Sequence, residues 1–78
     1  MTTEELLSQI KEILTRKSIS MTAFADSLNK FLPKKHRRDI TRSRMVIIYR
    51  WFAGGDSHRN PNSHTILAMK DWYNANRV

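Results

Sequence analysis

Apolar residues in this chain recur at spacings of three and four wherever they cluster. Leu6, Leu7, Ile10, Ile13 and Leu14 make one such run, and Phe24, Leu28 and Phe31 a second. Ile47, Ile48 and Trp51 make a third, and Ile66, Leu67, Met69, Trp72 and Tyr73 a fourth. That period marks one face of an α-helix, and no run alternates as a half-buried strand would. With only two prolines and two glycines in 78 residues, the spacing predicts an all-α fold, a compact domain of four or five helices. A chain of this length makes one domain, residues 1–78, with a thin core. There is no cysteine, which excludes a disulfide framework and a thiolate zinc site. No apolar run reaches the roughly 18 residues of a membrane span. The opening MTTEELL is acidic and lacks the layout of a secretion signal. Together these point to a cytoplasmic protein with no membrane association.

Helix starts are also legible. Thr2 and Glu5 have the spacing of a capping box ahead of a helix over Thr3–Lys17. Ser20 is a cap candidate for a helix over Met21–Phe31, and Pro33 then stops or redirects the chain. Thr41 caps a third helix, over residues 41–53, with Gly54-Gly55 as its stop. Asp, Ser, Asn and Pro together in DSHRNPN read as a turn, and Asn62 or Ser63 then caps a last helix over Ser63–Ala75.

The charge is unevenly placed. The formal net charge is +7, and residues 30–50 hold eight Lys or Arg against the single Asp39. The segments on either side are close to balanced. A solvated face usually mixes signs, whereas a block of one sign attracts a polyanion, most commonly a nucleic acid. The third helix lies within this block. Its spacing turns Ile47, Ile48 and Trp51 inward and Arg42, Met45, Val46, Tyr49 and Arg50 elsewhere, and places Arg44 toward the interior. An arginine-bearing outer face on a short helix suits DNA reading; a plain amphipathic helix with solvated arginines is the competing account.

Three pieces of sequence, taken in order, resemble the lambda repressor-like (Cro/repressor-type) helix-turn-helix family. Ile19 to Leu28 is similar to the family's first motif helix. Ile48-Tyr49-Arg50-Trp51-Phe52-Ala53-Gly54 is similar to the end of its recognition helix. Pro61 followed by Ile66, Met69 and Tyr73 is similar to its closing helix. Leu67-Ala68-Met69-Lys70-Asp71-Trp72 adds a likeness to the phage CII-type activators. The likeness spans about residues 19–73, with the motif at about 19–55. It departs from the family in one place. Residues 29–39 form an unusually long basic connection between the two motif helices, with Asn29 where the family has glycine. The resemblance implies a sequence-specific transcription regulator, repressor or activator, of phage or mobile-element type, acting on double-stranded DNA in a bacterial host cell.

Under that resemblance Arg42, Ser43, Arg44, Met45, Tyr49 and Arg50 are the candidate base-reading residues, with Val46 beside them. Lys34, Lys35, Arg37, Arg38 and Arg59 are the candidates for DNA phosphates, with His58 next to Arg59. A homodimer over two half-sites is expected, paired through the apolar residues around Met45–Ile48 and Trp72-Tyr73. Trp51 and Trp72 fall on apolar helical faces and are expected in the core rather than stacked on bases. His36, His58 and His64 lack ligand spacing, and Asp56-Ser57-His58 is turn composition rather than a triad. The expectation is therefore no enzyme, metal, cofactor or small-molecule substrate. A small protein-interaction module on the same fold and a nonspecific nucleic-acid binder are the alternatives.

Overall fold

The computed structural model describes all of Met1–Val78 and contains four α-helices and no strand. They are α1 (Thr3–Arg16), α2 (Met21–Asn29), α3 (Arg42–Phe52) and α4 (Ser63–Asn76). Single 3₁₀ turns at Lys34–His36 and Gly55–Ser57 punctuate the two long connections. No helix is long and apolar enough to cross a membrane.

Each helix begins on a side-chain cap. The Thr2 hydroxyl accepts from the Glu5 amide at 3.1 Å, Ser20 from Ala23 at 3.1 Å, Thr41 from Arg44 at 3.1 Å and Asn62 from Thr65 at 2.9 Å. Each bond satisfies one of the amides that a helix leaves unpaired at its start. Glu5 completes the first cap differently from a standard capping box: its carboxylate accepts from the Thr2 hydroxyl at 3.3 Å. α1 closes with a Schellman turn. Ser18 adopts φ 55°, its amide donates to the Thr15 carbonyl at 3.3 Å, and the Ile19 amide donates to Leu14 at 2.9 Å.

The helices pack mainly as a ring, α1 against α3 and α4, and α2 against α3 and α4. Five residues of α1 are buried: Leu6, Leu7, Ile10, Ile13 and Leu14. They meet Phe24, Ala25 and Leu28 of α2, Ile48 and Trp51 of α3, and Ala68, Met69 and Trp72 of α4. Phe24 is the centre, edge-on to Trp72 at 4.9 Å and to Phe52 at 5.8 Å, an arrangement that sets ring edge against ring face. Both tryptophans lie in the core. On α4 the outcome differs from the sequence reading at Leu67, which is 60 % exposed while Thr65 is buried. α2 ends at Asn29 rather than Phe31, and the chain then turns through Lys30 and Phe31 to bury Leu32.

Candidate nucleic-acid interface

The insert between α2 and α3 is pinned at three points. Leu32 is its apolar anchor, 3 % exposed. The Asn29 side-chain amide donates to the Arg38 carbonyl at 2.8 Å and its oxygen accepts from the Arg38 amide at 3.4 Å. The Arg37 guanidinium donates through Nε to the Leu32 carbonyl at 3.1 Å. Asn29 does not take a left-handed backbone. It is the last residue of α2 and closes the insert with its side chain. The basic residues are thus displayed on a closed loop. Lys34, Lys35, Arg37 and Arg38 are all exposed on it.

α3 has two distinct sides. Its buried residues are Ile48 and Trp51, with Met45, Ile47 and Phe52 packed partly against the core. Arg42, Ser43, Val46, Tyr49 and Arg50 are exposed. Positions 42, 46, 49 and 50 fall along one face at helical spacing. That face is therefore an arginine at each end with Val46 (47 % exposed) and Tyr49 (55 % exposed) between. Ser43 flanks it.

Two candidate reading residues fall off this stripe. Met45 is half-buried and packs on the core. The Arg44 guanidinium lies over the Trp51 ring, 5.0 Å from its centroid, a cation–π position. Burial, and then the neighbouring Arg38, push its pKa below the ordinary arginine value.

The loop after α3 is pinned in turn. One ring nitrogen of His58, Nδ1, is 3.0 Å from the Ala53 carbonyl, and Nε2 is 2.8 Å from Asn60 Oδ1. The Arg59 amide donates back to the Arg50 carbonyl at 3.0 Å. His58 is thereby occupied in holding the loop, while the Arg59 side chain remains exposed. Asn29, Leu32 and His58 all hold loops in place, a role the sequence does not display directly. Only Leu32 carried a signal, as an apolar residue directly before Pro33.

Of the apolar residues expected to pair two copies, Ile48 and Trp72 are in the core, each 1 % exposed, whereas Val46 is exposed and Met45, Ile47 and Tyr73 are half-buried. Arg38, Arg44 and Arg59 line a common cleft, while Arg42 and Arg50 stand on the exposed stripe of α3. No family model, curated protein or solved structure matches the chain.

Proposed function

We propose that this protein binds double-stranded DNA, with α3 in the major groove, as a sequence-specific transcription regulator of helix-turn-helix type. The observation that carries the proposal is the uncovered stripe Arg42, Val46, Tyr49, Arg50 on a helix whose opposite side is locked in the core. Arginine can pair bidentately with guanine O6 and N7, and apolar groups can meet the thymine methyl. The exposed Lys34, Lys35, Arg37 and Arg38 flank the start of α3, and Arg59 lies beyond its end. In this reading they meet phosphates and fix the register, while α3 reads base edges. A small domain offers few base contacts, so pairing of two copies over two half-sites belongs to the proposal. Leu67 on the outside of α4 is an apolar residue available to that pairing. The resemblance to phage regulators supports a setting in the cytoplasm of a bacterial host.

One observation favours a second reading. Val46 and Tyr49 are large apolar groups left in solvent, and such pairs also serve protein interfaces. A small interaction module would use the same stripe against an acidic partner.

Selection of bound duplexes from a random pool, followed by competition at fixed salt, separates the readings. The proposal expects a defined, two-fold symmetric consensus. Equal affinity for every duplex points to nonspecific binding, and no duplex binding even at low salt points to the interaction module. Either result overturns the proposal.

A further inference from the structure

His36 and His64, far apart in sequence, stack face to face with ring centroids 3.9 Å apart and planes 21° from parallel. They belong to the wall of a cleft of about 510 Å³ between the insert, the start of α3 and the first turn of α4. Arg38, Arg44 and Arg59 line the same cleft, and Asp39 is its only acidic residue. We propose that the cleft binds a phosphate-type oxyanion between these arginines, and that the His36–His64 pair takes up a proton as the anion enters. The stripe on α3 takes no part in lining it, so this site stands apart from the proposed base-reading face.

The electrostatics call for an anion. The charges acting on His36 and on Arg44 are all positive: His64, Lys35 and Arg38 on the first, Arg38 on the second. No carboxylate is among the charges acting on either group. Like charges held together in a partly desolvated recess repel, and a dianion there would relieve every pair at once. Guanidinium forks match the oxygen spacing of phosphate and sulfate, and three arginines line this cleft. α4 also starts at the cleft, with Asn62, His64 and Thr65 in its lining. Asn62 caps the Thr65 amide, while the first-turn amides of Ser63 and His64 have no acceptor in the helix. The positive end of the helix dipole therefore points the same way as the side chains.

The stacked histidines make the site sensitive to protons. Two imidazolium rings in van der Waals contact repel, so a second positive charge on the pair is disfavoured unless an anion offsets it. The ring of His36 has its pKa lowered by burial, then by His64, Lys35 and Arg38. The groups facing the pair are Lys35, Arg38 and Asp39 on the insert, Arg44 on α3 and Arg59 before α4. An anion seated among them offsets the local positive charge and favours protonation of the stacked pair. By linkage, binding draws a proton from solvent onto a ring nitrogen and tightens as pH falls through the imidazole range.

Sulfate is the cleanest probe, because its charge is constant where phosphate itself titrates. In the ¹⁵N-labelled full chain, sulfate should move the ring resonances of His36 and His64 saturably and raise their pKa values, leaving His58 still. Its affinity should rise several-fold between pH values of about 7.5 and 5.5. Arg38→Gln combined with Arg59→Gln, both exposed positions, should weaken binding about tenfold or more with the amide spectrum otherwise retained. The double variant His36→Gln/His64→Gln should keep binding at the higher pH and lose its pH dependence. Absence of a saturable shift overturns the proposal. So does a shift shared equally with His58, or a pH dependence that survives loss of both histidines. A short duplex identifies the source of the phosphate. If it moves the same two rings, a nucleic-acid backbone supplies the group; if sulfate binds and the duplex leaves the rings unmoved, a free phosphate-bearing ligand does. A protein that fails to bind any duplex can still pass the sulfate test, so the two proposals fail separately.

Discussion

α1 and α3 are both capped helices on the same core, and they use their outer faces differently. α1 buries five apolar residues, and its solvent side mixes Glu4, Glu5, Glu12, Lys11 and Arg16. α3 fully buries only Ile48 and Trp51, has no acidic residue, and leaves Val46 and Tyr49 in solvent between Arg42 and Arg50. A helix shaped only for stability would resemble α1: apolar residues inward, balanced charges outward. In α3 the outer residues do little for the fold, which is what a surface kept for a partner looks like. The contrast is open to direct test, because it predicts where substitutions hurt folding and where they hurt only binding.

The largest expected effect is at the centre, where α1 and α3 share one core. Phe24 is fully buried and touches the rings of both Trp72 and Phe52. Phe24→Ala should cost about 3–5 kcal/mol in chemical denaturation, a large part of the stability of so small a domain. Tyr49→Ala, on the outer stripe, should change stability by less than about 0.5 kcal/mol. A comparable loss at both positions would erase the distinction between the two sides of α3.

Arg50 and Lys34 sharpen the same contrast on the binding side. Arg50→Ala should reduce discrimination between the selected duplex and a variant by about 1–3 kcal/mol. Lys34→Ala should weaken all duplexes alike and flatten the salt dependence by about 0.9 log units per log salt. Competition binding across a salt series measures both. The opposite pattern would move base reading from α3 to the insert.

The insert shows where sequence reading reaches its limit. The four helices and their caps at Thr2, Ser20, Thr41 and Asn62 were legible, because capping and periodicity are local signals. The exposed arginines at 42 and 50 followed from the same wheel. Asn29 gripping Arg38, and His36 meeting His64, join residues that no short-range pattern links. Arg44 is turned toward the interior by the wheel, and its guanidinium lies over the Trp51 ring. The insert's order now rests on Asn29. Asn29→Ala should lower stability by about 1 kcal/mol and speed amide exchange over residues 33–39. Unchanged exchange there would mean that buried Leu32 and the Arg37–Leu32 bond hold the loop without Asn29.

The smallest effects lie at the ends of the two helices, where the comparison inverts expectation. Glycine is the usual residue where a helix end needs positive φ. α1 ends on Ser18 at φ 55°, whereas α3 ends on extended Ala53, and Gly54 has an ordinary φ of −99°. Only Gly55, at φ 65°, needs its glycine. Nothing lies within 4 Å of a Cβ built at either glycine, so backbone conformation alone decides the outcome. Ser18→Gly should therefore stabilise the protein by about 0.5–1 kcal/mol, since a side chain is strained in that region. Gly54→Ala should be neutral or stabilise by about 0.4–1 kcal/mol through the unfolded chain. Gly55→Ala should destabilise by about 1 kcal/mol. Three denaturation midpoints check the set. If Gly54 proved the sensitive glycine and Gly55 the tolerant one, α3 would end in the left-handed turn its sequence suggests, and the course of the chain from Ala53 to Arg59 would have to be redrawn.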